Sequence, residues 1–179
     1  NNSDIPQFSM VTWNVNGLSE CYPGNRRRTM YKDILQLSKS NHIIFLQETH
    51  LFNKGHLTLS SMLPKWGVYY SHGTSRSGGV ITLLHPTIIR KYTISQLQMH
   101  ASLDGHAIGL KLTTRSNKDL PTTMSKSILL LNVYMYTGQN ICSKQANQLS
   151  HLTNIQSEDY NYIAGDFNFV ESNPNFIFS

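Results

Sequence analysis

Tyr162-Ile163-Ala164-Gly165-Asp166-Phe167-Asn168-Phe169 closes an apolar run with a glycine, a carboxylate and an amide. The run itself, Tyr160 to Ala164, has the length and the β-branched and aromatic content of a strand. A strand fixes its side chains while its end opens to solvent, so polar groups placed there are in position for chemistry. Gly165 lets the chain turn sharply, and in extended geometry Asp166 and Asn168, two apart, point to the same side. A carboxylate that aligns or deprotonates water, beside an amide that grips phosphate, is a workable hydrolytic pair. A plain Asx-rich turn has the same residue content.

Three earlier strand ends follow the same plan. Phe8 to Val15 ends in Trp13-Asn14-Val15-Asn16-Gly17, where an asparagine oxygen can ligate or orient a hard cation or its waters, and where Asn16-Gly17 also reads as a turn. His42 to Leu46 is followed by Gln47-Glu48-Thr49-His50. Mg²⁺ takes oxygen ligands and needs only one or two protein carboxylates, which makes Glu48 a candidate ligand as well as a candidate solvated strand-end glutamate. His50 is a candidate phosphate contact, a hydrogen-bond partner for Glu48, or a structural polar group. Ile128 to Tyr134 leads into Met135-Tyr136-Thr137-Gly138. A phenol at Tyr134 can donate to a phosphoryl oxygen as negative charge builds, or can simply pack as strand aromatics do.

The remaining apolar runs, Gly67 to Tyr70, Gly79 to Leu84 and Ala107 to Leu112, also read as strands. Ser77-Gly78-Gly79 is a turn signal that makes Gly67 to Leu84 a hairpin. Helical spacing appears twice: at Met30, Tyr31, Ile34, Leu35 and Leu37, and at Ala146, Leu149, Leu152 and Ile155, each set expected to cover a sheet face. Arg115 to Ser127 is polar and reads as an exposed loop. The expectation is packed sheets with helices outside.

At 179 residues the chain is expected to form one domain, 1–179, with one core. Its 39% hydrophobic and 14% charged content is that of a globular chain rather than a disordered one. A formal net charge of +5 favours an anionic partner such as nucleic acid, and serves solubility equally. Cys21 and Cys142 lack zinc-ligand spacing and are expected to be free thiols in a reducing, intracellular compartment. No apolar stretch approaches the roughly 20 residues of a membrane-spanning helix, so no membrane partner is expected. Phe176, Ile177 and Phe178 ask for burial within an ending, Asn173 to Ser179, that has no closing element, and the C-terminal part of the domain is expected to be missing.

Taken in order, the four strand-end motifs resemble the exonuclease-endonuclease-phosphatase superfamily, whose members include apurinic-site repair endonucleases, DNase-I-like nucleases, sphingomyelinases and inositol-phosphate phosphatases. The resemblance runs from about Ser9 to Asn168. Trp13-Asn14-Val15-Asn16-Gly17-Leu18, Gln47-Glu48-Thr49-His50-Leu51, Ser77-Gly78-Gly79-Val80 and Gly165-Asp166-Phe167-Asn168-Phe169 look most like the endonucleases of non-LTR, LINE-type retrotransposons. Repair enzymes more often carry Asp at the position of Asn16, Lys at that of His50 and Leu at that of Phe167. Tyr134-Met135-Tyr136 departs from the Tyr-Ala-Pro or Tyr-Val-Pro of many relatives, which bears on the loop after Tyr134.

The resemblance implies a four-layer α/β sandwich, DNase-I-like, of two packed mixed sheets flanked by helices. It implies Mg²⁺, with Mn²⁺ as a substitute, held by Glu48 with support from Asn14. It implies that Tyr134 contacts the scissile phosphate, that Asp166 aligns or activates the attacking water, and that Asn168 helps hold phosphate or water. A later Asp and a terminal Asp-His pair used by relatives have no counterpart after Asn168. The implied activity is DNA nicking that leaves a 3′ hydroxyl to prime reverse transcription, with a reverse transcriptase domain on the same polypeptide and a nuclear site of action. Asn16, His50 and Arg27, the last within Arg26-Arg27-Arg28, are candidate DNA contacts, although the arginines also read as a solvated start to the first helix. A phosphatase or lipid phosphodiesterase of the same superfamily, a repair endonuclease, and a truncated non-catalytic remnant stand as alternatives.

Overall fold

The computed structural model describes residues 7–18, 24–115, 126–137 and 142–168. Among them the apolar runs form two four-stranded sheets. The first holds β1 (Met10–Asn14), β2 (Ile43–Gln47), β3 (Gly67–Ser71) and β4 (Val80–Leu84), in the order β1-β2-β4-β3. The second holds β5 (Tyr92–Gln96), β6 (Ala107–Thr114), β7 (Ser127–Tyr134) and β8 (Tyr160–Asp166), in sequence order. Both are mixed: β1 pairs parallel to β2 and β7 parallel to β8, while the other pairings are antiparallel. The Gly67 to Leu84 segment is the expected hairpin, with Gly67 opposite Leu84 and Ser71 opposite Val80.

Side-chain alternation along the central strands explains the layers, because both faces of each are covered. Ile43 and Phe45 of β2 face inward and meet Ile108, Leu110, Leu112, Ile128 and Leu130 of the second sheet. Ile44 and Leu46 face outward against Met30 and Ile34 of α1 (Gly24–Leu37) and Leu59 of α2 (Leu57–Met62). On the far side of the second sheet, Leu129, Leu131 and Val133 lie under Leu152 of α4 (Cys142–Thr153) and Ile155. The result is the four-layer, DNase-I-like α/β sandwich, with α3 (Pro86–Lys91) linking the sheets between β4 and β5.

Some elements depart from the sequence expectation. β5 was not anticipated, because only Tyr92 and Ile94 alternate there and the strand lies at a sheet edge. Helices α2 and α3 have six residues each, too few to show a 3.6-residue period. The face expected of α4 is rotated: Ala146 and Leu149 are exposed, and Gln148 is the residue that goes inside. Its amide oxygen accepts the Tyr136 N–H at 3.0 Å, which offsets part of the cost of burying this polar side chain, while its Nε2 has no partner among the described residues. Cys142 is an exposed free thiol. Cys21, most of the Arg115 to Ser127 loop and the Asn173 to Ser179 ending lie outside the described residues. No described helix is long and apolar enough to cross a membrane.

Candidate active site

Parallel pairing places the polar ends of four strands at one edge of the sandwich. Register sets Asn14 beside Gln47 in the first sheet and Tyr134 beside Asp166 in the second. The outer strands β1 and β8 then face each other across the sheets, and the Asn14 Nδ2 amide donates to Asp166 Oδ2 at 2.8 Å. One layer deeper the inner strands are joined in the same way: Gln47 Nε2 donates to Asn132 Oδ1 at 2.7 Å, with both side chains buried. Asn132 Nδ2 is shared between the Leu46 and Ile81 carbonyls at 3.2 and 2.9 Å. A buried amide pair satisfied in this way pins the two sheets directly beneath the edge.

The backbone at this edge is strained. Asn16, Glu48, His50 and Asn168 all have left-handed φ, between 45° and 52°, which costs non-glycine residues of order 1 kcal/mol or more apiece. Neighbouring loops hold them there. Gly17 N–H donates to Glu48 O at 2.7 Å, and the Thr49 and His50 N–H groups reach Gly79 O and Gly78 O at 3.0 and 2.9 Å. Asn168, expected to be extended, instead turns back: its N–H donates to Asp166 Oδ1 at 3.1 Å and its Nδ2 to Met135 O at 3.0 Å. The Asx turn and the functional placement coexist, since the turn occupies one Asp166 oxygen and Asn14 the other. Gly165 has a structural reason to be glycine: its φ is 150° and a Cβ there would overlap the Val133 carbonyl oxygen.

Asn14 Oδ1 accepts the Asn16 N–H at 3.0 Å, so the Asn-Gly turn read in the sequence is also present. Burial, then a hydrogen bond to Glu48, pushes the Tyr134 phenol up to about 12, with hydrogen bonding from Thr137 pulling the other way and the Asp166 charge adding to the rise. The phenol is therefore a proton-bearing donor at neutral pH, next to two carboxylates. His50 is only 3% exposed. Its Nε2 lies 3.7 Å from Glu48 Oε2. Burial holds the imidazole below its ordinary pKa, Glu48 opposes that shift, and Arg26 reinforces it.

Arg26 reaches the edge, its Nη2 donating to Asn16 O at 2.9 Å; Arg27 is half-buried in the same helical turn. Asn16 is exposed at the rim. Asn14, Glu48, Tyr134, Asp166 and Asn168 come together, as their strand-end positions require. Gln47 and Asn132 were not singled out, although an amide within Leu130-Leu131-Asn132-Val133 was a visible signal. Among the described residues no three of His, Cys, Asp and Glu group into a metal cage. The donor set suits a different kind of ion. Glu48 supplies one carboxylate and Asn14 an amide oxygen, the sparse hard-oxygen set of a cation that keeps most of its water.

Comparison with known proteins agrees with this fold. The endonuclease/exonuclease/phosphatase family model matches residues 11–178. The chain belongs to that family. Family members are typically phosphodiesterases or nucleases and generally use divalent metal ions. Solved structures of like fold include a humanized D. rerio TDP2, with TM-score 0.62 and 14% identity over 90% of this chain and 66% of that one. D. rerio TDP2 complexed with a single-strand DNA product gives TM-score 0.58 and 14% identity, over 90% and 60% of the two chains. The Xenopus laevis APE2 catalytic domain gives TM-score 0.56 and 20% identity, over 89% and 58%. The chain thus spans less than two thirds of the length of these solved structures. No curated protein matches the sequence.

Proposed function

We propose that this chain carries the metal site of a DNA phosphodiesterase, an endonuclease that nicks target DNA for retrotransposon insertion. The observation that carries this reading is the meeting of Asn14, Glu48, Tyr134 and Asp166 at one edge, tied by the 2.8 Å bond from Asn14 to Asp166. Glu48, with support from Asn14, would hold Mg²⁺, or Mn²⁺ in its place, which when bound neutralises charge on the phosphate and the departing 3′ oxygen. Asp166, its carboxylate oriented by Asn14 and by the Asn168 N–H, aligns and deprotonates a water in line with that oxygen. Tyr134 keeps its proton and donates to a non-bridging phosphate oxygen as charge builds there. Asn168 is a positioning residue that closes the turn onto Met135 O.

Net charge of +5 supports a polyanionic substrate over a small phosphomonoester, and Asn16, His50 and Phe167 match the retrotransposon variant of the motifs. In that reading the nick leaves a 3′ hydroxyl for a reverse transcriptase domain of the same polypeptide, acting in the nucleus. The test is Mg²⁺-dependent relaxation of supercoiled plasmid, run beside phosphoinositide hydrolysis and cleavage of abasic duplex. Plasmid nicking abolished by Glu48→Ala and by Asp166→Ala is the expected result. Activity confined to phosphoinositides or to abasic duplex would replace the retrotransposon reading with one of its family alternatives. A folded chain that nicks nothing would leave the non-catalytic remnant.

A further inference from the structure

Tyr136 follows Tyr134 by two residues and shares a ring neighbour with it. The His106 imidazole stacks on Tyr134, with ring centroids 5.5 Å apart and planes 5° from parallel, and meets Tyr136 at a tilt, at 4.0 Å and 37°. His106 is locked to the same strand end by its backbone and its side chain. Tyr134 N–H donates to His106 O at 2.7 Å, and His106 Nδ1 lies 3.0 Å from Tyr134 O. Since a carbonyl only accepts, that nitrogen carries the proton.

Lys144 of α4 lies over the Tyr136 ring, its ammonium 5.5 Å from the centroid. The helix that presents Lys144 is fastened to the same corner. Gln145 Nε2 donates to Tyr136 O at 2.8 Å and lies 3.5 Å from Asn168 O, and Gln148 Oε1 accepts the Tyr136 N–H. An exposed lysine ordinarily samples many rotamers, so a cation held over an aromatic face at a fixed corner is positioned for an anion arriving from solvent. On the opposite rim Arg26 is fastened to Asn16 O. The two cations therefore bracket the Glu48–Asp166 edge, one from each sheet's flanking helix.

We propose that Lys144, seated on the Tyr136–His106 pair, binds a backbone phosphate flanking the scissile one, so that the nucleic acid strand crosses the edge from the α1 side to the α4 side. The ligand class is a polynucleotide strand bound without regard to sequence, since an ammonium facing a phosphate reads charge and not bases. This inference rests on the nuclease reading and extends it to substrate path. It also gives a role to Tyr136, the departure from the Tyr-x-Pro pattern of relatives: an aromatic ring that the lysine needs.

The experiment measures binding of fluorescently labelled single-stranded and duplex oligodeoxynucleotides to the full chain in EDTA, across a salt series, so that cleavage plays no part. Lys144→Ala is expected to reduce the slope of log affinity against log salt by about 0.7 for the single strand and about 0.9 for the duplex, the loss of one phosphate contact. Lys144→Arg restores the slope. Tyr136→Ala, which removes the seat, gives part of the loss, and Tyr136→Phe gives none. Lys65→Ala, the same charge change beside the opposite end of β3, leaves the slope at its parent value and controls for net charge. Equal slopes for Lys144→Ala and Lys65→Ala, in a parent that binds and nicks DNA, overturn the Lys144 site alone. A folded parent that binds neither oligonucleotide overturns this inference, whereas the nuclease reading falls only if Mg²⁺-dependent plasmid nicking also fails.

Discussion

The two sheets are built on one plan and deliver their functional groups in different ways. Each has an outer strand parallel to an inner one, followed by antiparallel neighbours, so β1 corresponds to β8 and β2 to β7. Outer ends meet as Asn14 and Asp166, and inner strands meet as Gln47 and Asn132. In the second sheet Tyr134 and Asp166 are in-register strand residues, so strand pairing alone positions them. In the first, Glu48 lies one residue beyond β2, in a left-handed turn held by contacts from the Gly17 and Gly78-Gly79 loops. One half of the site is thus set by ladder register and the other by loop anchoring. The anchored half holds the proposed metal ligand at the cost of backbone strain.

The comparison breaks most sharply at its chemical ends. Glu48→Ala and Asp166→Ala are each expected to lower the nicking rate about a thousandfold while leaving the melting temperature near the parent value, measured by plasmid relaxation and circular dichroism. A large loss from only one of them would mean that the two halves do not serve a single reaction. The next effect separates register from anchoring. Gly165→Ala drives a methyl into the β7 backbone and is expected to cost about 3 kcal/mol in urea unfolding. Gly79→Ala, at φ 88°, meets the Thr49 hydroxyl at 2.5 Å instead of a backbone atom, and is expected to cost about 2 kcal/mol or less.

A smaller effect probes the joint shared by both halves. Gln47→Leu and Asn132→Leu each strand a buried partner and are expected to cost about 1–3 kcal/mol, with Asn132 the larger because it also serves the Leu46 and Ile81 carbonyls. The double variant should cost less than the sum, and strict additivity in the cycle would show that the amide pair contributes nothing as a pair. The smallest effect is in pH. Burial lowers the pKa of His85 beside the first sheet, helped by the His42 and Arg90 charges, and of His106 in the second, where the hydrogen bond to Tyr134 O opposes the shift. For each, the unfolded chain binds the proton more readily than the folded one. Stability is then complete above the ordinary histidine value of 6.5 and falls as pH drops below it. His106→Asn should flatten part of that acid-side slope in urea titrations between neutral pH and about pH 5.

Much of this was legible along the chain, for a physical reason that also sets the limit. Central strands buried on both faces read as continuous apolar runs, so β2, β4, β6 and β7 were visible, while β5, with two inward residues at an edge, was not. A polar group that directly follows such a run must sit where the sheet ends, so Asn14, Glu48, Tyr134 and Asp166 could be named before any fold was in view. Their identity and order along 179 residues, resembling a known family, settled the kind of chemistry to expect.

Distance in the chain hid the rest. The bond from Asn14 to Asp166 joins residues 152 apart, and the Gln47–Asn132 pair joins residues 85 apart. No local pattern encodes such a pairing, because each partner is satisfied only after two sheets have packed. The same holds for burial of His50, for Arg26 reaching Asn16, and for Lys144 reaching Tyr136. Packing decides all three: α1 and α4 seat on their sheets and so place Arg26 and Lys144, while the left-handed turn after β2 sets His50. Sequence determined the strand ends and the residue types they carry; tertiary packing decided which of those residues touch, since contact energies depend on neighbours that the chain brings together only when folded.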